Sequence, residues 1–293
     1  MSPQLCLGTA QFGLSYGITN ALGQVAEREV SQICQQAASE GIQFLDTAQA
    51  YGNAEAVLGR CWPAKAPRRI ISKLPPQADS NGELDWEASF QASLQRLQVP
   101  QLDSFLLHRP ADLIGEKGED LLEWLESLRN RALVRRIGVS IYQASDLDGL
   151  PLERFQLVQL PLSLYDQRLL TDGTVAGLLD RGIAVHARSL LLQGLLLKSP
   201  EHWPAFLSNE FRQQHQQWRC ALASEGLSLL EGALRFARMR DGIEAIVLGV
   251  QSSAELAELL VAWRRCQSVD CDLGHRWAWE NEQDLDPRCW PTR

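Results

Sequence analysis

The chain has 293 residues and a formal net charge of −8 at pH 7, without a block of like charges. This acidic balance disfavours nucleic acid and anionic membrane as partners. No apolar run approaches the ~18 residues of a membrane span, and Met1–Gln4 lacks a signal-peptide pattern, so we expect a cytoplasmic protein.

Short strand patterns alternate with helical patterns along the whole chain. The predicted strands are Leu5–Thr9, Ile42–Leu45, Ile70–Lys73, Leu102–His108, Arg136–Ser140, Gln156–Leu162, Ile183–Ser189 and Ala245–Val250. A loop rich in glycine and aromatic residues is expected after the first strand. The predicted helices are Glu27–Ser39, Glu55–Arg60, Trp86–Leu97, Leu121–Leu133, Thr174–Arg181, one or two within Trp218–Met239, and Ala254–Cys266.

Eight strand–helix steps predict a parallel sheet, because each helix supplies the crossover between neighbouring strands. Eight such steps close most economically into a (β/α)8 TIM barrel. The alternative is an open doubly wound sheet, whose usual sign is Gly-x-Gly-x-x-Gly in the first strand–helix turn. That turn reads Gly8-Thr9-Ala10-Gln11-Phe12-Gly13, which does not fit. We therefore predict one α/β barrel domain over residues 1–293.

The cysteines and histidines show no spacing typical of a metal centre. The five histidines form no His-x-His or His-x-x-x-His pair, and the cysteines form no Cys-x-x-Cys pair. An odd number of scattered cysteines also argues against a disulfide framework. The sequence predicts reduced thiols and no metal site. The cysteines are Cys6, Cys34, Cys61, Cys220, Cys266, Cys271 and Cys289.

Polar side chains follow three successive predicted strands at their C-terminal ends, where barrel enzymes carry their chemistry. Asp46 and Tyr51 follow the second strand, Lys73 ends the third and His108 ends the fourth. Each alone has an ordinary structural interpretation, as a helix cap, a packed phenol or a core histidine. Lys73 is different, because a buried ammonium needs a carboxylate partner, and Asp46 on the neighbouring strand is the candidate.

The four side chains suit acid catalysis on a carbonyl. A phenol with a pKa of about 10 donates a proton poorly at neutral pH unless a neighbouring cation lowers that pKa. Lys73 would supply the cation, Asp46 would hold and neutralise it, and His108 could hold the substrate carbonyl by a hydrogen bond. These side chains cannot supply a hydride, so a reduction would need a cofactor.

The chain resembles the aldo-keto reductases over essentially its full length. The residues that carry the resemblance are Gly8-Thr9, Asp46-Thr47-Ala48, Tyr51-Gly52, Lys73, Leu106-Leu107-His108, Gly138-Val139-Ser140, Gln159, Ala187-Arg188-Ser189-Leu190 and Gly194-Leu195-Leu196. The resemblance implies NAD(P)H-dependent reduction of a small aldehyde or ketone, or the reverse oxidation of an alcohol. It implies that Tyr51 is the general acid, that Lys73 and Asp46 tune it, and that His108 orients the carbonyl.

The resemblance also implies a nicotinamide cofactor across the barrel mouth, with its carboxamide held by Ser140 and Gln159. Arg188 stands where many members have a tyrosine that stacks on the nicotinamide, and a guanidinium can stack on a ring too. Ile141 replaces a common asparagine. The predicted cofactor contacts are Gly8, Thr9, Asp46, Ser140, Gln159, Arg188, Ser189, Leu191, Gly194, Val250, Gln251, Ser252 and Glu255.

The choice between the two nicotinamide cofactors is open at this point. The resemblance favours NADP(H), and the start of the last helix is a good place for a phosphate. However, Ser252 also reads as a helix cap, and Glu255 would repel a 2′-phosphate that it faced. Lys and Arg are absent from the stretch 249–256, so NAD(H) is possible.

Three further expectations concern the pocket and the role of the chain. Phe12 and Tyr16 are predicted pocket walls, because their loop must lie on the active face. The Trp-rich tail, Arg276–Trp290, either folds over the barrel mouth or packs on the barrel side. The rival to an enzyme is a non-catalytic nucleotide-binding barrel that serves as a regulatory or scaffold subunit; the presence of all four catalytic residue types favours the enzyme.

Overall fold

Eight parallel strands form a closed barrel in a computed structural model that describes residues 2–76, 84–266 and 275–291. Each strand pairs with the next, and β8 pairs with β1. The predicted (β/α)8 barrel is therefore confirmed. The strands are β1 (Gln4–Gly8), β2 (Phe44–Asp46), β3 (Arg69–Leu74), β4 (Leu102–Leu107), β5 (Val134–Ser140), β6 (Leu157–Pro161), β7 (Ala184–Arg188) and β8 (Ile243–Gly249).

Helices connect the strands and cover the outside of the barrel. In the described ranges they are α1 (Ala10–Gly13), α2 (Glu27–Ser39), α3 (Ala54–Cys61), α4 (Trp86–Leu97), α5 (Gly118–Asn130), α6 (Arg168–Thr171), α7 (Thr174–Asp180), α8 (Asn209–Ser224), α9 (Leu229–Arg238), α10 (Ser253–Arg265) and α11 (Glu282–Leu285). Short 3-10 segments span Pro110–Leu113, Ala144–Leu147, Leu152–Arg154, Leu192–Leu197, Pro200–His202, His275–Trp277 and Pro287–Cys289. Most of these helices match the predicted ones within a few residues.

The strand side chains divide into two apolar layers, because successive residues of a strand point to opposite faces. A small cluster fills the barrel interior, and a much larger cluster lies between the barrel and its helices. In β2, for example, Phe44 belongs to the inner cluster and Leu45 to the outer one. The inner cluster consists of Cys6, Phe44, Ile71, Leu106, Leu157 and Ala245.

The four-residue helices α1, α6 and α11 were not predicted, and α8 begins earlier than predicted. The expected loop after β1 contains the four-residue helix α1, which is too short to show a helical period. Helix α8 begins at Asn209, nine residues before the predicted region. The prediction missed its first turns because they are rich in glutamine, which obscures the helical spacing of the apolar residues. Ser208 caps it by accepting a hydrogen bond from the Phe211 N–H.

Some predictions fall on residues that the structure does not describe. Cys271 lies outside the described ranges, and the prediction of one domain over residues 1–293 stays a prediction. The other cysteines are free thiols. Among the described helices, none combines the length and the hydropathy that crossing a bilayer requires.

Candidate active site

The strand alternation places the candidate catalytic residues in one layer at the C-terminal end of the barrel. Asp46, Lys73, His108 and Gln159 each stand two residues beyond a member of the inner apolar cluster. Because the side-chain period of a strand is two, all four lie on the inward face directly above that cluster. The hydrophobic pattern of the strands therefore sets the height at which the polar layer begins.

Asp46 and Lys73 form a buried ion pair at the centre of this layer. The Lys73 Nζ donates to Asp46 Oδ1 at 2.8 Å, to Asp46 Oδ2 at 2.9 Å and to the Thr47 carbonyl at 2.9 Å. The Lys73 side chain is fully buried. Gln159 Nε2 donates to Asp46 Oδ1 at 2.7 Å, and the Thr9 hydroxyl donates to the Asp46 carbonyl at 2.9 Å. The partnership predicted for Lys73 and Asp46 is present.

Tyr51 lies beside this pair in the turn after β2. The Lys73 Nζ is 5.3 Å from the centre of its ring, and the His108 ring centre is 5.9 Å away at an angle of 79°. Two glycines hold the turn against α1. A Cβ on Gly13 would overlap the Tyr51 carbonyl oxygen, and Gly52 has a φ of +56°. The short helix α1 therefore fixes the backbone that carries Tyr51.

The electrostatics of the layer favour a protonated phenol beside a neutral imidazole. Desolvation, and after it the Asp46 carboxylate, raises the pKa of Tyr51 above its ordinary value, while the Arg188 guanidinium lowers it. The sequence prediction assigned that lowering to Lys73, whose charge is matched by Asp46. Burial, followed by the Lys73 and Arg188 cations, lowers the pKa of His108 to about 3. His108 is therefore neutral at neutral pH.

A cavity of about 530 Å³ opens at this end of the barrel. A volume of this size is typical of a small-molecule or cofactor site. Tyr51 and the predicted pocket residue Tyr16 line it. The predicted cofactor contacts that line it are Gly8, Thr9, Asp46, Arg188, Ser189, Leu191, Gly194, Val250, Gln251 and Glu255.

Other predicted contacts lie away from the cavity surface. The prediction that Phe12 is a pocket wall is wrong. Its side chain is fully buried in the outer apolar cluster, so it is a core residue. Ser252 caps α10 by accepting from the Glu255 N–H at 3.1 Å. Ser140 and Gln159 are buried beneath the cavity on paired strands.

Gln159 offers a test of whether the site fits a nicotinamide. Its side chain is fully buried, and its Nε2 is occupied by Asp46. Its Oε1 has no hydrogen-bond partner within the described part of the chain. An unsatisfied buried acceptor is costly unless a ligand supplies the donor. The amide N–H of a nicotinamide carboxamide is a donor of that kind, so Gln159 fits the predicted cofactor.

The sequence profile of the Aldo/keto reductase family matches residues 4–271. The chain belongs to the aldo/keto reductase family. An aldo-keto reductase of Mycolicibacterium vanbaalenii is 32% identical over 187 residues, which cover 61% of this chain and 64% of that protein. The L-galactose dehydrogenase of Arabidopsis thaliana is 27% identical over 286 residues, which cover 89% of this chain and 86% of that protein. This chain thus spans just under two thirds of the mycobacterial relative.

Solved aldo-keto reductases share the fold of this family member. The holo form of a Bacillus halodurans enzyme superposes with a TM-score of 0.74 at 19% identity, covering 96% of this chain and 94% of that chain. A Klebsiella pneumoniae enzyme in complex with NADPH gives a TM-score of 0.65 at 17% identity, covering 90% and 86% of the two chains. At these identities the likeness shows the fold alone.

Within this family member, a contact that sequence reasoning missed joins two loops across the cavity. Gln193, in the kinked segment after β7, accepts the Ile18 N–H on its side-chain oxygen at 3.0 Å. Its carbonyl accepts the Thr19 hydroxyl at 3.0 Å. Gln193 has a φ of +54°, which a non-glycine residue rarely adopts. The neighbouring Gly194, at a φ of +92°, was the available signal for an unusual turn.

The Trp-rich tail packs on the side of the barrel, which is one of its two predicted alternatives. Trp279 stacks on Phe211 of α8, with ring centres 5.2 Å apart, so this part packs on the side of the barrel. Further along, the Arg288 guanidinium lies 4.1 Å from the ring centre of Tyr142, in the loop after β5. The tail therefore also reaches the face of the barrel that carries the cavity.

Proposed function

We propose that this protein is an NAD(P)H-dependent oxidoreductase that reduces a small aldehyde or ketone to an alcohol, or catalyses the reverse oxidation. One observation carries the proposal. A half-buried phenol and a neutral imidazole face each other beside a buried Asp46–Lys73 pair. Family membership and fold support the reaction class, and the geometry of the site supports a role for each of these side chains.

The nicotinamide, when bound, supplies the hydride. Tyr51 donates its phenolic proton to the carbonyl oxygen of the substrate. His108, neutral at neutral pH, donates a hydrogen bond to the same oxygen from its Nε2 and so orients the carbonyl. Asp46 holds Lys73 beside the Tyr51 ring, where the ammonium stabilises the negative charge that the departing proton leaves on the phenol oxygen.

Ser140 and Gln159 would hold the carboxamide of the cofactor, and the loops after β7 and β8 would hold the remainder. The resemblance favours NADP(H). The charges along the cavity do not clearly favour NADP(H), because Glu255 and Glu258 line it together with Lys198. A carboxylate beside a 2′-phosphate would weaken NADP(H) and leave NAD(H) unaffected. We therefore propose that the site accepts NADP(H) with little discrimination against NAD(H).

A titration of the protein with NADPH and NADH, followed by fluorescence, tests cofactor binding. A panel of aldehydes, sugars and ketones, followed by cofactor absorbance, tests turnover. We expect binding and carbonyl-dependent oxidation of the reduced cofactor. Binding without turnover on any carbonyl would favour the rival, a non-catalytic nucleotide-binding subunit. Absence of binding by either cofactor would contradict both.

A further inference from the structure

Arg188 is the last residue of β7 and forms part of the cavity wall. The side chain is half-buried and lines the cavity together with Tyr51 and Tyr16. One terminal nitrogen donates to the Ile141 carbonyl at 2.8 Å, and the other donates to the Ser189 hydroxyl at 3.3 Å. An arginine has five N–H donors, so three remain for a ligand.

The orientation of this guanidinium is fixed by an aromatic ring. Its central carbon lies 4.0 Å from the ring centre of Tyr142, and Arg288 of the tail lies 4.1 Å from the same ring centre. Tyr142 is thus stacked between two arginines. A stacked guanidinium keeps its N–H edge free for bonds in its own plane. Arg188 is therefore held in place before any ligand arrives.

Among the residues that the structure describes, no carboxylate balances the charge of Arg188. Near the same end of the barrel, Arg109 pairs with Asp112 at 2.5 Å and Arg288 pairs with Asp286 at 2.6 Å. Lys73 is matched by Asp46. Across the described ranges, Arg188 makes no ion pair. Within the described part of the chain, Arg188 therefore brings an unpaired positive charge to the wall of the cavity.

This charge shares the cavity wall with the proposed general acid, Tyr51. The guanidinium acts electrostatically on both Tyr51 and His108, after the larger effect of burial on the pKa of each. By the resemblance, Arg188 lies beside the nicotinamide ring, where the substrate carbonyl must also lie, and not at the phosphates of the cofactor. A planar guanidinium with free donors matches a carboxylate, which can accept two parallel hydrogen bonds.

We propose that Arg188 binds a carboxylate of the substrate, so that the preferred substrates are aldehydes or ketones that carry a carboxylate near the carbonyl. This inference rests on the proposed function and names its substrate class. Arg188 thereby determines the specificity for the substrate, and the uncharged side chains of Tyr51 and His108 position the carbonyl. A neutral carbonyl compound would leave the guanidinium unpaired and would bind more weakly.

Two matched pairs of substrates test the proposal: 3- and 4-carboxybenzaldehyde, each with its methyl ester. The esters keep the ring and the aldehyde and remove the charge. For the wild type we expect kcat/KM to be at least ~10-fold higher for one acid than for its ester, since a charge-assisted hydrogen bond contributes about that much. Arg188→Met should lower kcat/KM for the acid at least ~10-fold and for the ester less than about threefold.

The controls separate charge from folding. Arg188→Lys keeps the positive charge and removes the paired N–H donors of the planar guanidinium. We expect this variant to retain part of the preference for the acid. Arg265→Met removes one charge from an exposed position on α10, and it should leave both rates unchanged. The affinity for the reduced cofactor is measured in every variant, because Arg188 is also a predicted cofactor contact, and a weaker cofactor complex would lower the rates for acid and ester alike. Equal preference for acid and ester in the wild type, or equal loss on both in Arg188→Met, would overturn the proposal.

A binding measurement distinguishes failure of this inference from failure of the proposed function. Calorimetric titration with 4-(hydroxymethyl)benzoate, an unreactive carboxylate in the presence of reduced cofactor, needs no turnover. We expect this compound to bind the wild type, to bind Arg188→Lys more weakly and to bind Arg188→Met most weakly. That order of affinities would support the anion site even if no carbonyl is reduced. Equal binding to wild type and Arg188→Met would overturn it, whether or not the wild type reduces carbonyls.

Discussion

At the scale of single residues, Lys73 shows how a charge is kept inside an apolar barrel. Its three ammonium protons have acceptors in two Asp46 oxygens and the Thr47 carbonyl. Removing either partner of such a pair leaves an uncompensated buried charge, which typically costs about 3–5 kcal/mol. Asp46 and Lys73 therefore stabilise the fold only together, and a substitution of one tests stability as much as catalysis.

Glu255 is the residue whose charge bears most directly on cofactor choice. Its carboxylate lines the cavity and also accepts the Gln251 N–H at 2.7 Å. Glu255→Gln keeps an oxygen for that bond and removes the charge, so NADPH should bind a few-fold more tightly. Glu255→Arg should strengthen NADPH binding about tenfold or more, with NADH binding little changed. Fluorescence titration of both cofactors measures this.

Glu255→Gln is the matched control for Glu255→Arg, because only the second adds a new partner for a phosphate. An unchanged dissociation constant for NADPH in both variants would show that the carboxylate faces away from the 2′-phosphate. The hydrogen bond to Gln251 gives that outcome a physical reason, since the bond holds the carboxylate at the N-terminal end of α10.

At the scale of elements, the position of Tyr51 depends on the close packing of α1 against the turn after β2. Gly13→Ala would place a methyl group on the Tyr51 carbonyl and force the turn to shift. A displacement of about 1 Å can lower a rate ~10²-fold. We expect kcat to fall at least ~10-fold, with a moderate loss of thermal stability.

Gly23 provides the control for Gly13→Ala. It lies in the same connection between β1 and α2, and a Cβ there meets no atom within 4 Å, although its φ of +81° disfavours alanine. Gly23→Ala should therefore lower stability slightly and leave kcat unchanged. Equal effects of the two substitutions on kcat would mean that backbone strain, rather than displacement of Tyr51, is responsible.

The elements that sequence reasoning predicted were those with a clear hydrophobic period. The strands and the amphipathic helices α2 and α10 repeat apolar residues at the expected spacing, and so their positions were recoverable. Helix α1 has four residues and no period, and Phe12 within it was assigned to the pocket instead of the core. The contact of Gln193 with Ile18 joins residues 175 positions apart, which no local pattern reveals.

The candidate site was predictable for a similar reason. Asp46, Lys73 and His108 come at or directly after strand ends, and a closed parallel barrel brings such ends together. What the sequence could not show was the balance of charges. The pairing of Arg109 and Arg288 with aspartates, and the lack of such a partner for Arg188 in the described ranges, depend on side-chain directions in space.

At the scale of the whole molecule, buried neutral histidines should make stability depend on pH. Burial lowers the pKa of His215 to about 4, against an ordinary value near 6.5 in the unfolded chain. The unfolded state therefore takes up the proton first. The contribution of His215 is fully present above about pH 6.5 and is lost progressively as the pH falls from there toward 4.

His215→Gln should make the free energy of unfolding less dependent on pH. Between pH 6 and 5, the slope should fall by up to about 1.4 kcal/mol per pH unit, the value for one proton. Urea unfolding of wild type and variant at several pH values measures both slopes. The variant will also lose packing against Trp203 and Trp218, which lowers stability at every pH. Parallel curves for the two proteins would contradict the assignment.

The most direct test of the proposed function is the rate constant kcat of Tyr51→Phe, measured with the affinity for the reduced cofactor. The substitution keeps the ring that packs beside Lys73 and His108 and removes the proton. We predict a loss of at least ~10² in kcat, with the dissociation constant of NADPH or NADH unchanged within about twofold. Carbonyl reduction by Tyr51→Phe at the wild-type rate would contradict the account.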